Sequence, residues 1–264
     1  MPDVLIESPE PGIALLTLNR PHRLNALSWP MIDELHAMFE RIAADRDIRA
    51  VVITGAGRGF CAGLDIARAG AIGAEDDVVT VFRRQERVAG LALALRDLPQ
   101  PVIAAVNGPA SGGGMAIGLA CDVRVFSSEG RMNVAFVKIG LSGCDVGVSH
   151  LLPRLVGMGH ASELMLTGRH VLADEALAIG LANHVVEPGQ EVPRALEIAR
   201  QIAANSPFGV WMTKQVLRRN VDAPSLEAAI DLENRTQALT TRTRDLPEAL
   251  EAFQHKRAPR FEFR

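Results

Sequence analysis

Hydrophobic positions in the first half of the chain follow two alternating patterns. Continuous apolar runs rich in β-branched residues predict buried strands over 13–18, 50–54, 101–106 and 123–126. Apolar residues at three- and four-residue spacing predict helices over 29–44, with Ser28 as its N-cap, and over 77–95. Strands that alternate with helices indicate an α/β fold with a mostly parallel sheet, whose connecting loops carry the functional site.

The pattern changes after about residue 190. Helical periodicity interrupted by Pro or Ser predicts four helices, over 193–205, 208–220, 225–241 and 247–254. We therefore divide the chain into an α/β core over 1–190 and a helical C-terminal region over 191–264. A helical tail of this kind often packs against a neighbouring subunit, so we interpret the second part as an oligomerisation region.

Composition and charge exclude several classes of protein. The 264 residues include 28 basic and 31 acidic side chains, and a net charge of −3 disfavours a nucleic-acid-binding protein. Three cysteines without a CxxC pair, and histidines without a paired spacing, disfavour a disulfide framework and a metal site. The apolar stretch over 101–121 is interrupted by Asn, Pro and several Gly, which disfavours a membrane span. We expect a cytoplasmic protein with no membrane partner and no secretion signal.

Two glycine-bearing turns each follow a predicted strand directly: GAGRGFCAGLD at 55–65 and NGPASGGGM at 107–115. Glycine lets a backbone approach a ligand closely, and a helix N-terminus presents unpaired N–H groups to negative charge. Side by side, the two turns could aim peptide donors at one oxygen atom. The simpler interpretation is that the glycines only form tight connections between strands and helices.

Three familiar motifs do not fit these turns. A Walker A loop requires Gly-Lys-Ser/Thr, which is absent. A nucleophile elbow requires GxSxG, but Pro109 precedes Ser111 by two positions and Cys144 follows Ser142 by two. A dinucleotide fingerprint over 57–62 lacks its following helix, because 69–73 is predicted to be a loop.

Several segments in the same order resemble the crotonase (enoyl-CoA hydratase/isomerase) superfamily. They are NRPHRLNAL at 19–27, FCAGLDI at 60–66, PVIAAVNGPASGGG at 101–114, CD at 121–122, LPRLVG at 152–157, LTG at 166–168 and FQHKR at 253–257. The resemblance implies a spiral of ββα units, a C-terminal helical trimerisation region, and a homotrimer or dimer of trimers. It also implies that the substrate is a coenzyme A thioester and that no separate cofactor is needed.

The resemblance further implies the roles of individual residues. In this family two backbone N–H groups stabilise a thioester enolate, and the matching residues here are Leu64 and Gly113. One well-aimed donor of this kind is typically worth about 3–4 kcal/mol. The positions that match substrate and CoA contacts are Arg23, Leu24, Ala26, Ala62, Asp65, Ile66, Gly112, Phe136 and Lys256. For Lys256, which matches a contact to a neighbour's nucleotide, an exposed helix end is an equally good interpretation.

The sequence departs from a typical hydratase at two positions. Ala116 and Phe136 stand where the family's hydratases place the two glutamates that handle water and the α-proton. Asp145, aligned through a one-residue gap, stands where other branches, such as the dienoyl-CoA isomerases, place a working aspartate. Its competing interpretation is an N-cap for a helix predicted over 148–155. Asp122 is expected to bond to backbone and Glu129 to be solvated. Arg84 and Glu86 are further candidates to reach the site, although charged residues on a helix surface usually have no such function.

Two functions from different classes remain open. The first is an enzyme that polarises the thioester carbonyl of an unsaturated fatty-acyl-type CoA and uses Asp145 for proton transfer in isomerisation or hydration. The second is a catalytically silent homologue that binds acyl-CoA, since Ala116 and Phe136 remove the usual proton machinery and Asp145 only caps a helix.

Overall fold

The computed structural model describes residues 2–66 and 77–263, and in that part it contains nine strands and nine α-helices. The strands are β1 (Val4–Glu10), β2 (Ile13–Leu18), β3 (Ala50–Gly55), β4 (Val102–Val106), β5 (Pro109–Ser111), β6 (Val123–Ser127), β7 (Arg131–Asn133), β8 (Val171–Leu172) and β9 (His184–Val186). The helices are α1 (Trp29–Ala44), α2 (Val78–Asp97), α3 (Gly113–Ala120), α4 (Val148–Thr167), α5 (Ala173–Ala178), α6 (Glu191–Ala203), α7 (Pro207–Asn220), α8 (Leu226–Thr240) and α9 (Asp245–Gln254). The loop predicted over 69–73 lies outside the described residues.

Six strands form the main sheet, in the order β1-β2-β3-β4-β6-β9. Only β1 and β2 pair antiparallel; the other neighbours pair parallel. Every residue of β3 and β4 is buried, as expected for central parallel strands covered on both faces. The predicted α/β class and its central strands are therefore confirmed.

A second sheet of three strands, β5-β7-β8, lies beside the first. Strand β5 begins three residues after β4 ends, and β7 begins four residues after β6 ends, so the chain passes from the large sheet to the small one twice. A bridge between Cys61 and Ala110 makes the same passage after β3. Because a helical segment follows each passage, the chain winds as the expected spiral of ββα units.

The two faces of the main sheet carry separate apolar clusters. The larger cluster joins the sheet to α1, α2, α3 and α4, through buried residues such as Leu35, Leu91 and Leu119. The smaller cluster lies on the opposite face, where Ala195 and Ala199 of α6 pack against Val52 and Ile103. Small side chains on α6 let the helix approach the strands closely. Helix α6, the first of the C-terminal region, thus covers one face of the sheet.

Helix α7 is tied to the sheet by a partly buried ion pair. Lys214 Nζ lies 2.8 Å from Asp122 Oδ2 and donates to the carbonyl oxygen of Gln100 at 2.9 Å. Burial lowers the pKa of the Lys214 ammonium, and the Asp122 carboxylate opposes that shift. Asp122 also accepts from the Val102 N–H at 2.8 Å, which confirms its predicted structural role.

Helices α8 and α9 present apolar side chains to solvent, among them Leu226, Leu239, Leu250 and Phe253. Helix α8 buries none of its residues in the single chain. The division of the chain at residue 190 and the assembly into trimers stay predictions. None of the helices in residues 2–66 and 77–263 combines the length and apolar character needed to cross a membrane.

Candidate active site

A cavity of about 610 Å³ opens where the two glycine-bearing turns meet helix α2, and we call it the site cavity. Its size falls within the range of small-molecule sites. Most of its wall is apolar, and its described lining residues include Trp29, Ala62, Gly63, Leu64, Ile66, Val78, Val81, Phe82, Arg84, Gln85, Val88, Gly112, Gly113, Ala135, Phe136, Ile139, Leu141, Asp145 and Val146. Arg84 and Asp145 are the charged side chains among them, so an apolar group with few polar contacts fits this space.

The backbone of Leu64 is oriented by a short parallel bridge to Leu27. The Leu27 N–H donates to the carbonyl of Gly63 at 2.7 Å, and the Asp65 N–H donates to the carbonyl of Leu27 at 2.9 Å. In an extended strand, successive N–H groups point to opposite sides. Because the groups on both sides of Leu64 face Leu27, the N–H of Leu64 itself faces the other way.

The backbone of Gly113 begins helix α3, directly after β5. The first N–H groups of a helix have no partner within the helix and carry the positive end of its dipole. The preceding N–H, of Gly112, donates instead to the carbonyl of Asn133 at 3.0 Å, which fixes the turn. Gly113 is therefore a donor at the start of a fully buried helix.

The two turns bring the amides of Leu64 and Gly113 close together. The Leu64 nitrogen lies 4.0 Å from the point that a Cβ on Gly113 would occupy. A Cβ on Gly63, whose φ is +89°, would lie 3.3 Å from the Gly113 nitrogen and 2.7 Å from the Ser111 carbonyl oxygen, so only glycine fits there. Neither N–H donates a hydrogen bond within residues 2–66 and 77–263. Two unused donors thus lie beside each other on the wall of the site cavity.

Two asparagine side chains hold the first turn in shape. Asn25 is fully buried; its Nδ2 donates to the carbonyls of Ala56 and Gly59 at 3.0 and 2.7 Å. Asn107 Nδ2 donates to the carbonyls of Gly55 and Gly57 at 2.9 and 2.8 Å. These bonds satisfy carbonyl groups that a loop leaves unpaired, and they join the first turn to the segment over 20–27 and to the end of β4.

A buried ion pair fixes the end of the same turn. Arg20 Nη2 lies 2.8 Å from Asp65 Oδ2, and the two side chains are only 3% and 6% exposed. Arg20 also donates to the Ala26 carbonyl, and its Nε lies 3.5 Å from Asp3. Asp65 follows Leu64, so this pair anchors the residue next to one of the two free amides.

Replacing Asp65 with alanine is expected to lower the free energy of unfolding by about 3–5 kcal/mol, because Arg20 is left buried with its main counter-charge removed. Urea denaturation at equal protein concentration measures the change. The control is Asp33→Ala, which breaks an ion pair with Arg87 whose members are 65% and 45% exposed and should cost less than about 1 kcal/mol. Equal losses from the two substitutions would contradict this account of the turn.

Asp145 is one of the residues that line the site cavity. Its Oδ1 accepts from Gln85 Nε2 at 2.5 Å and from the Val146 N–H at 2.8 Å. Helix α4 begins after Gly147 and has no side-chain cap, so the interpretation of Asp145 as an N-capping side chain is wrong. Only its carbonyl oxygen bonds to the first turn, accepting from the Val148 N–H at 2.9 Å.

The other predicted contact residues fall into two groups. Ala62, Ile66, Gly112 and Phe136 line the site cavity, whereas Arg23, Leu24, Ala26, Asp65 and Lys256 do not. Arg23 and Lys256 are exposed, and Ala26 is buried. The Ala62 N–H donates to the Leu24 carbonyl at 2.9 Å, which places the segment over 23–26 at the edge of the cavity. Their contacts to a CoA ester stay predictions.

The two positions expected to carry hydratase glutamates differ in their surroundings. Ala116 is completely buried inside α3 and does not line the site cavity. Phe136 lines it and packs against Gly112, with ring atoms 3.4–3.7 Å from where a Cβ on Gly112 would lie. At this position the cavity wall is therefore formed by an aromatic ring instead of a carboxylate.

Helix α2 supplies the part of the wall that the motifs did not identify. Val78, Val81, Phe82, Gln85 and Val88 share one face of this helix and line the site cavity. The i, i+3, i+4 spacing of these residues was visible in the sequence, but it also describes an ordinary core-facing helix. Of the two charged candidates on α2, Arg84 lines the cavity, with its guanidinium 5.7 Å from the Trp29 ring centroid, and Glu86 does not.

Other reactive side chains do not contribute to this cavity. Burial raises the pKa of the Cys61 thiol and the Cys121 thiol to about 12, so both are poor nucleophiles. Cys144 is exposed beside Asp145, and Glu129 is exposed as expected. Within residues 2–66 and 77–263 no group of three or more His, Cys, Asp or Glu side chains could hold a metal ion.

Comparison with known proteins agrees with the fold and the motifs. The family model for enoyl-CoA hydratase/isomerase matches residues 8–264. A Mycobacterium tuberculosis protein named "Probable enoyl-CoA hydratase EchA12" is 41% identical over 98% of this chain and 92% of its own length. The solved structure of an enoyl-CoA hydratase from Bacillus anthracis is 32% identical, covers 99% of this chain and 100% of its own, and superposes with a TM-score of 0.93.

A second solved structure, of a monofunctional enoyl-CoA isomerase from Mycobacterium smegmatis, is 38% identical, covers 87% of this chain and 99% of its own, and has a TM-score of 0.75. Both hydratases and isomerases are thus similar to this chain, and the comparisons leave the exact reaction open. With a family model that covers all but the first seven residues, the chain belongs to the enoyl-CoA hydratase/isomerase family, within the crotonase superfamily.

Proposed function

We propose that this enzyme binds an unsaturated, apolar acyl-CoA, stabilises its thioester enolate with the N–H groups of Leu64 and Gly113, and moves a proton with Asp145. The observation that supports the proposal is the meeting of two unused backbone donors and one carboxylate at a single apolar cavity. Removing a proton from C2 of a thioester moves negative charge onto the carbonyl oxygen. Fixed donors at that oxygen stabilise the charge as it forms.

A single carboxylate favours isomerisation over hydration as the reaction. Asp145 is the one carboxylate among the described residues of the cavity wall. In a shift of a double bond from C3 to C2, one base takes a proton from C2 and returns it to C4 of the same substrate. Hydration needs, in addition, a held water molecule and a proton delivered to C2. With Ala116 buried away from the cavity and Phe136 on its wall, the usual pair of carboxylates for that chemistry is missing.

Exchange of α-protons tests the proposal without assuming either product. The enzyme would be incubated in deuterium oxide with saturated acyl-CoA esters from butyryl to dodecanoyl, and deuterium at C2 followed by mass spectrometry. We expect enzyme-dependent exchange with at least one chain length. Esters that bind without exchange, together with no turnover of any 2-enoyl-, 3-enoyl- or dienoyl-CoA, would favour the silent acyl-CoA-binding alternative.

A further inference from the structure

Two hydrogen bonds hold the carboxylate of Asp145, and both are accepted by the same oxygen. Oδ1 accepts two hydrogen bonds, from Gln85 at 2.5 Å and from the Val146 N–H at 2.8 Å. Oδ2 accepts none from residues 2–66 and 77–263. The two oxygens of one side chain are therefore not equivalent, and one of them is left open.

The backbone next to Asp145 supports the same arrangement. Val146 has a φ of +45°, a conformation that β-branched residues rarely adopt and that costs on the order of 1–3 kcal/mol. Val146 is 5% exposed, so its side chain is packed inside the wall, and its N–H turns back onto the preceding carboxylate. Strained backbone of this kind persists only where the surrounding structure fixes it.

Gln85 comes from a different element, helix α2, and it has no role in the motifs of this family that the sequence displays. It follows Val81 by one helical turn and precedes Val88 by almost one, and all three residues line the site cavity. An amide N–H that donates to a carboxylate is a charge-assisted hydrogen bond, which is shorter and stronger than a neutral one. The donor therefore acts from the cavity wall itself.

We infer that Gln85 is a positioning residue: together with the Val146 N–H it fixes Oδ1 of Asp145, so that Oδ2 carries the proton to and from the substrate. This inference rests on the proposed role of Asp145. In the forward step, the C2–H bond breaks, its electron pair enters the enolate, and Oδ2 gains the proton. In the return step the O–H bond breaks, and the proton forms a C–H bond at C4 as the negative charge leaves the thioester oxygen.

The first test is Gln85→Met, which keeps the length of the side chain and removes the donor. We expect kcat on the best enoyl-CoA substrate to fall about 10- to 100-fold, the size expected from losing one hydrogen bond to a charged group, with KM nearly unchanged. Glu86→Gln, on the neighbouring exposed position outside the cavity, is the matched control and should keep wild-type kinetics. Thermal unfolding confirms that each variant is folded.

A double-mutant cycle separates positioning from a general structural effect. Once Asp145 is replaced by asparagine it can no longer carry the proton, so adding Gln85→Met should lower the residual rate of α-proton exchange less than about twofold. Gln85→Glu provides a second variant: two carboxylates then face each other, and kcat should fall further than in Gln85→Met. Independent, multiplicative losses in the cycle would overturn the positioning role.

The two proposals fail in different ways. If Asp145→Asn keeps full turnover, the role of Asp145 is wrong and the role of Gln85 is wrong with it. If Asp145→Asn loses turnover while Gln85→Met keeps kcat, or raises KM alone, only the role of Gln85 is wrong. Loss of kcat in both, with the expected coupling between them, supports both.

Discussion

Replacing Asp145 with asparagine should lower kcat on the best enoyl-CoA substrate by about 10²–10⁴-fold, the usual contribution of a positioned acid or base. Asparagine preserves the shape of the side chain, and its oxygen can still accept from Gln85 and Val146 as Oδ1 does now. The main change is thus at the Oδ2 position, where an amide NH₂ group replaces an oxygen that can accept a proton. KM and thermal stability should stay close to the wild-type values.

The control for this substitution is Asp33→Asn. Asp33 pairs with Arg87, which lies on the same helix α2 as Gln85, but the pair is exposed and outside the site cavity. Steady-state kinetics of the two variants and the wild type, with the same substrate, would separate loss of the reacting group from loss of a carboxylate in general. Unchanged kcat in Asp145→Asn would remove this residue from the mechanism.

The sequence was most informative where local pattern decides local structure. The continuous apolar runs became β2, β3, β4 and β6, and Ser28 caps α1 by accepting from the Met31 N–H. Both glycine-bearing turns directly follow predicted strands, β3 and β4, but individual glycines are required by the other turn: a Cβ on Gly63 would meet the Ser111 carbonyl oxygen, and one on Gly114 would meet that of Cys61. Strand β1 was missed, because three acidic residues near the N-terminus gave it no clear apolar run; it pairs as an antiparallel edge strand.

The candidate site was less predictable, because it depends on contacts between distant segments. Gln85 and Asp145 are 60 positions apart, and neither residue type indicates the other. The capping hypothesis for Asp145 failed although helix α4 begins at Val148 as predicted, because its N-cap position is Gly147 and the Asp145 carboxylate bonds instead to Gln85 and to the N–H of Val146, whose φ is +45°. A spacing rule that assumes ordinary backbone conformations cannot anticipate the positive φ of Val146. The bridge between Leu64 and Leu27 depends on the spiral fold as a whole, which no local sequence pattern contains.

The second large effect is expected from one methyl group at Gly114, in the first turn of α3. A Cβ there would lie 2.0 Å from the carbonyl oxygen of Cys61 and 2.7 Å from its carbonyl carbon, both of which are backbone atoms. Cys61 precedes Leu64 by three residues, and Gly114 follows Gly113. Relief of the overlap must therefore separate the two turns by roughly 1 Å, a displacement that can lower catalysis on the order of 100-fold. Overpacking should also destabilise the protein by about 1–3 kcal/mol.

Gly118→Ala is the matched control, because Gly118 lies one turn further along the same buried helix. Its nearest neighbour would be Met132 Cε at 2.5 Å, the end of a flexible side chain that can rotate away. We therefore expect Gly118→Ala to keep near-normal turnover and Gly114→Ala to lose it, as measured by α-proton exchange and thermal unfolding. Comparable activity in the two variants would show that the close approach of the two turns is not what aligns their amides. Loss of turnover in Gly114→Ala alone would support the close approach of Gly114 to Cys61 as the contact that aligns the proposed pair of donors.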